Sequence, residues 1–123
     1  MKKYLSLVLL LWTFQPGFTQ SSDDLSVRYQ EALDLINAYK FDEAQELLSE
    51  CYIKDQENLD YLLKIGYCNF QTGRYRDARL FFNEALDVDS LNTTALSSLG
   101  SIFEREANYR RAREYYVRLI DID

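Results

Sequence analysis

The chain has 123 residues, a formal charge of −6 and no histidine. That length suits one small domain, and the acidic balance disfavours phosphate backbones and anionic lipid surfaces, which are bound through clustered Lys and Arg. Without histidine the commonest general base and the commonest metal ligand are both missing.

The first element reads as a targeting segment. Met1–Tyr4 carries Lys2 and Lys3, Leu5–Phe14 is apolar apart from Ser6 and Thr13, and Gln15, Pro16 and Gly17 end the run. A charged start, a short apolar core and a polar end describe a secretory signal peptide. The run is too short for a transmembrane helix, which needs about 20 apolar residues. An amphipathic helix is a poor description, because Leu7–Trp12 is apolar on every side. Gly17 and Thr19 set small side chains at the spacing a signal peptidase reads, so the leader is expected to be 1–19, with 1–20 as the alternative, and 20–24 is a short segment before the repeats. No cysteine sits at the cut, which argues against a lipid anchor. Losing Lys2 and Lys3 moves the formal charge from −6 to −8. No later apolar run is long enough to span a membrane. The expected location is the periplasm or cell envelope of a Gram-negative-type bacterium.

From Leu25 onward the chain repeats every 34 residues without insertion. Ala44, Ala78 and Ala112 fall in register, as do Phe41, Tyr75 and Tyr109, then Ala32, Gly66 and Gly100, then Leu48, Phe82 and Tyr116. In-phase copies of one unit stack on one another instead of closing around one centre. The units are 25–58, 59–92 and 93–123.

Each unit reads as two helices, which predicts Asp24–Ala38, Phe41–Ile53, Asn58–Gln71, Tyr75–Val88, Asn92–Glu106 and Tyr109–Ile122. In the third of these, Leu62, Ile65, Gly66 and Asn69 recur at i, i+3, i+4 and i+7. Gly73 then accepts the left-handed conformation that ends a helix, and Tyr75, Ala78, Phe82, Ala85 and Leu86 open a new apolar stripe. Asp24, Asn58 and Asn92 each precede a first helix as candidate caps. No sustained period-2 pattern exists and the single proline lies in the leader, so the fold class is all-α. Small residues are expected at the crossings, with Gly66 facing Ala78 and Gly100 facing Ala112, and large ones in the gaps beside them.

Two residue types need an account. Asn69 stands in an apolar slot, and an unpartnered buried amide costs about 1–3 kcal/mol. It is expected to bond the turn around Gly73, with a ligand contact as the alternative. Cys51 and Cys68 lie on neighbouring antiparallel helices with an axial offset of about 10 Å, beyond the roughly 7 Å that a disulfide spans between Cα atoms. Both read as small packing residues, an intermolecular bridge being the alternative in an exported chain. The cluster Arg110, Arg111 and Arg113 is surrounded by Glu104, Glu106 and Glu114, which reads as a solvated, salt-bridged face. Phosphate loops and Ser-centred elbows are absent, and two separated cysteines make no zinc site. No catalytic residue, cofactor or metal is expected. Asn92-Thr93-Thr94 is a formal glycosylation acceptor, and Asn92 reads more simply as a cap.

The second and third units resemble the tetratricopeptide repeat. Leu62, Ile65, Gly66, Gly73, Tyr75, Ala78, Phe82 and Ala85 fit its helix–turn–helix signature, as do Leu96, Leu99, Gly100, Phe103, Tyr109, Ala112, Tyr116 and Leu119. The first unit departs at Arg28 and Glu31 but keeps Ala32, Leu35, Phe41, Ala44 and Leu48. Asn69 departs from the pattern too, and Ser90 stands where a proline is usual. The resemblance implies three repeats stacked as a short right-handed superhelix, with the first helices lining a concave groove for a protein or peptide partner. By position that groove comprises Tyr29, Leu33, Ile36, Leu63, Lys64, Tyr67 and Phe70, extended by Thr94, Ser97, Ser98, Ser101 and Arg105. The chaperone-tail subclass clamps a carboxylate with Lys and Asn. The matching slots here, Tyr29, Leu33, Lys64, Thr94 and Ser98, hold one cation, which argues against that ligand.

The function expected is a non-enzymatic scaffold or adaptor. The alternative is a structural subunit, or the N-terminal part of a larger envelope or secretion assembly, that self-associates through Tyr115, Leu119, Ile120 and Ile122 on its open last helix.

Overall fold

The computed structural model describes residues 22–122, and the expected leader lies outside them. Six helices form a ladder of antiparallel pairs: α1 (Ser22–Asn37), α2 (Phe41–Lys54), α3 (Leu59–Gln71), α4 (Tyr75–Val88), α5 (Thr93–Arg105) and α6 (Tyr109–Asp121). Each packs chiefly on its sequence neighbours, α1 on α2, α2 on α3, and so on to α6. No strand occurs among the described residues, and no helix there is long and apolar enough to cross a membrane.

Local chemistry sets the boundaries. Asn58 Oδ1 accepts from the Tyr61 amide at 3.3 Å and Asn92 Oδ1 from the Ala95 amide at 2.9 Å, closing free N–H groups at the starts of α3 and α5. Asn108 does the same for Arg111 at 3.3 Å on α6. Asp24 is not a cap. It lies inside α1, and its carboxylate pairs with Arg28 at 3.4 Å and with Lys54 at 3.8 Å. The turn inside every repeat places one residue in the left-handed region: Tyr39 (φ 60°), Gly73 (φ 78°) and Ala107 (φ 58°). The backbone bonds Lys40 to Leu35, Arg74 to Asn69 and Asn108 to Phe103 close the three turns alike. This six-to-one closure imposes the conformation even where the residue is not glycine.

The small residues pack as expected in kind, but the fit is different in detail. A Cβ added at Gly66 would lie 2.9 Å from the Phe82 ring, and one at Gly100 would lie 2.5 Å from the Tyr116 ring. What meets each missing side chain is thus an aromatic ring of the second helix, one turn beyond the alanine expected there. The core forms two clusters. Ala32, Ala44, Leu48, Ile65 and Cys68 join the first repeat to the second, while Leu62, Ala78, Phe82, Ala85, Ala95, Leu99 and Ile102 join the second to the third. Tyr52 and Phe81 pack against both clusters, with ring centroids 6.3 Å apart.

Asn69 is fully buried, and both polar atoms of its side chain have a partner. Its amide donates to the Ile65 carbonyl at 3.0 Å, and its Oδ1 accepts from Arg74 Nε at 2.9 Å. The same guanidinium continues into the first repeat, donating to Asp42 at 2.8 Å and Gln45 at 2.7 Å. Cys51 and Cys68 are buried free thiols. Burial pushes the Cys68 thiol up to about 11, so it stays protonated and unreactive at neutral pH.

Candidate partner-binding groove

The groove residues separate into three places. Tyr67, 39% exposed, and Phe70, partly buried, project from α3 toward α5. With Phe82, Ser97, Ser98 and Ser101 they line a pocket of about 170 Å³. The pocket exists because of a contrast between repeats. Ser97, Ser98 and Ser101 stand where the preceding repeat has Leu63, Lys64 and Tyr67, so three short side chains leave open what three long ones would fill. Phe82 is the floor. Its place on a second helix hid it from a reading that drew the groove from first helices only, although Gly66 signals a ring pressed against α3.

The rim is aromatic and cationic. Arg105 lies over the Phe70 ring at 5.1 Å, within cation–π range, and the Phe70 and Tyr75 centroids are 5.7 Å apart. Tyr67 meets Phe41 edge to face at 6.0 Å, which fixes its ring while leaving part of it in water. Of the serine wall, Ser97 donates to the Thr94 carbonyl at 3.1 Å and Ser101 sits 3.3 Å from the Tyr116 hydroxyl. An apolar floor with hydroxyls along one side suits an apolar side chain whose own backbone needs hydrogen bonds.

The remaining groove positions do not join this pocket. Tyr29 packs edge-on against Tyr61 at 5.3 Å and lines a separate hollow with Leu25, Ser26, Asp55, Asn58 and Asp60. Burial, and then the nearby Asp60, push its phenol above the usual value. Leu33 and Lys64 are partly buried, Ile36 packs on the first core cluster and Leu63 on the second. Among the described residues no cluster of three or more Cys, Asp or Glu is placed to hold a metal ion.

The last helix also differs from expectation. Tyr115 turns inward and stacks on Phe103 with centroids 5.6 Å apart and an 11° tilt. Leu119 and Ile122 are partly buried. Of the four residues expected to be open, Ile120 is the exposed one at 72%, and its exposed companions are Tyr109 (69%) and Val117 (45%).

Comparison with known proteins adds the family. One tetratricopeptide repeat model matches residues 29–93 and another matches 93–123. A curated relative is the SPINDLY protein of Hordeum vulgare, a probable UDP-N-acetylglucosamine–peptide N-acetylglucosaminyltransferase, 32% identical over 98 residues. The match covers 80% of this chain and only 10% of that protein. Among solved structures, the Yersinia enterocolitica type III secretion chaperone SycD in complex with a peptide of the translocator YopD superposes with a TM-score of 0.79 at 16% identity, covering 84% of this chain and 79% of that one. PcrH in complex with the chaperone-binding region of PopD gives 0.78 at 19% identity, covering 82% and 76%. The second repeat domain of Spaghetti (RPAP3), bound to the HSP90 peptide SRMEEVD, gives 0.74 at 12% identity, covering 80% and 92%. At these identities the likeness is one of fold.

Proposed function

The chain belongs to the tetratricopeptide repeat family, and on that premise we propose that it is a non-enzymatic interaction module that takes a segment of a partner protein in its concave groove. The observation that carries this reading is the pocket formed by Tyr67, Phe70 and Phe82 against Ser97, Ser98 and Ser101. It is a recess of side-chain size between α3 and α5, and three proteins of the same fold, SycD, PcrH and the Spaghetti domain, form complexes with a peptide or a partner's binding region. Tyr67 and Phe70 are the anchors, since interfaces concentrate affinity in a few buried aromatic residues. Lys64 and Arg105 orient an acidic residue at the edge, at a modest 0–1 kcal/mol or so for exposed pairs. Tyr29, Leu33, Ile36 and Leu63 extend the surface along α1 and α3. Export to the cell envelope, through the leader 1–19, completes the proposal, and intact mass of the protein from cells tests it by a start near Gln20.

Panning a random peptide library on the chain from residue 20 onward supplies ligands for the test. Tyr67→Ala is expected to weaken a selected peptide roughly thirtyfold, the equivalent of about 2 kcal/mol. Arg110→Ala, on α6 and off the groove, is expected to leave it unchanged. The reverse ranking moves the interface to the outer face. A self-associating structural subunit is the second reading, and the exposed Ile120 favours it. Head-to-tail stacking works against it. Ile65 and Cys68, and one repeat later Leu99 and Ile102, are packed on the preceding repeat, whereas the matching slots of α1 hold the exposed acids Glu31 and Asp34.

A further inference from the structure

The outer face of α6 repeats a face that is occupied one repeat earlier. On α4, Ala78, Phe82 and Ala85 are buried beneath Ala95, Leu99 and Ile102 of α5. Arg79 of α4 forms an ion pair with Glu106 at the end of α5, and its guanidinium lies 5.4 Å from the centre of the Phe103 ring. Shifting by 34 residues turns Ala85 into the larger, partly buried Leu119, and turns Tyr75, Ala78, Arg79, Phe82 and Leu86 into Tyr109, Ala112, Arg113, Tyr116 and Ile120. The last five line a groove of about 360 Å³ together with Val117 and Glu104. Arg113 keeps the position of Arg79 but has no carboxylate partner among the described residues.

From this equivalence we infer that the α6 face is a docking site for an amphipathic helix of another protein, seated as α5 is seated on α4. The template defines what fits. The helix carries a small residue at i, aliphatic residues at i+4 and i+7, an aromatic at i+8 and an acid at i+11, as in Ala95, Leu99, Ile102, Phe103 and Glu106. The acid meets Arg113, so the ligand is acidic at its C-terminal end. The chain's own α1 does not meet this description. At i, i+4 and i+7 it offers Val27, Glu31 and Asp34, and two carboxylates would be buried on Ala112 and Tyr116 with no paired cation in the template. Burying an unpaired charge is strongly unfavourable. The site shares no lining residue with the concave pocket, although Tyr116 touches its Ser101, and its test does not rest on the groove.

The probe is a fluorescent synthetic peptide of residues 92–107, stapled between positions 97 and 101 because an isolated helix of this length is marginal in water. Titrated against the chain from residue 20 onward, it is expected to bind saturably. Ile120→Glu, an exposed substitution whose folding is checked by circular dichroism, is expected to abolish binding. Arg113→Glu is expected to weaken it about fivefold, as for an exposed charge pair. The peptide with Glu106→Arg should restore affinity to that variant and lose it for the unsubstituted chain, while Tyr67→Ala changes neither. Absence of binding, indifference to Ile120→Glu, or failure of the charge swap overturns the inference. So does a sedimentation profile in which the protein forms an Ile120-dependent dimer that the peptide does not dissociate, since a second copy is then the occupant.

Discussion

The two junctions between repeats solve one packing problem with opposite chemistry. In the slot 34 residues apart, the second repeat places Asn69 and the third places Phe103. Asn69 works only as part of a chain of bonds from the Ile65 carbonyl through Arg74 to Asp42 and Gln45. Phe103 works as a surface, stacked on Tyr115 and approached by Arg79 at 5.4 Å and Arg111 at 5.5 Å. The residue five positions on follows suit. Arg74 reaches back to the buried amide, whereas its counterpart Asn108 caps the next helix. The lesson is that a repeat slot does not dictate polarity. It dictates that whatever fills it be satisfied, and the two solutions fail differently: a network leaves a buried polar atom unpaired when one member goes, while an aromatic contact loses in proportion to the area removed.

The comparison is sharpened most by Phe103→Ala, which removes a buried ring and leaves a hole at the second junction. A loss of about 3–5 kcal/mol is expected in a denaturant titration, and a loss below about 1 kcal/mol would show the ring to be ornamental. At the first junction Arg74→Ala strands the Asn69 oxygen in the core, for an expected loss of about 1–3 kcal/mol. Adding Asn69→Leu to that variant is expected to recover most of it, because removing both partners of a buried bond is far cheaper than removing one. A double variant no better than Arg74→Ala alone would mean that the network contributes through something other than satisfaction.

The junctions also differ in their response to alkali. Cys68 belongs to the first, and Ile102 takes its slot in the second. Burial holds the Cys68 thiol protonated, its titration raised from 9.0 to about 11. The stability this implies is fully present below pH 9.0 and is lost as pH climbs through about 11. The expected loss is about 3 kcal/mol, at 1.36 kcal/mol for each of the two pH units between those values. Cys68→Ala, less stable at neutral pH, is expected to lack that component, so the gap between the two proteins narrows across this window. A constant gap would place the thiol in water. The smallest effect concerns the turns. Ala107 bears a left-handed φ of 58° that Gly73 adopts freely, so Ala107→Gly is expected to stabilise by up to about 1 kcal/mol. Gly73→Ala should destabilise by a similar amount, and equal melting of all three proteins would show the turn to be unstrained.

Most of the fold was readable because the period is strict. Six helices follow from where apolar stripes restart after a turn, and Asn58 and Asn92 mark their starts chemically. Asp24 misled because a carboxylate near a helix start has two uses, and Lys54, which claims it, lies 30 residues away in the chain. Gly73 announced its turn by composition. Tyr39 and Ala107 did so only by register, since closure of the surrounding backbone bonds overrides their preference. The same limit governs the site. Tyr67 and Phe70 were legible as a pair on one helix face, and the serines of the third repeat as a gap in side-chain volume. Tyr29 was drawn into the same groove by analogy of position; its ring meets Tyr61 edge-on and lines a hollow apart from the Tyr67–Phe70 pocket. Tyr115 was grouped with Leu119, Ile120 and Ile122 as the self-association face of the last helix, and only the packing reveals Phe103 stacked on its ring.

The measurement that tests the groove most directly is the affinity of a library-selected peptide for the protein and for its Ser98→Trp variant. Ser98 lines the pocket without belonging to the buried core, so an indole there occupies the space between α3 and α5 while the stack keeps its packing. With thermal melting unchanged, affinity is expected to fall by at least about tenfold. A peptide that binds the Ser98→Trp protein as tightly as the original does not use this pocket, and the proposed site is then wrong.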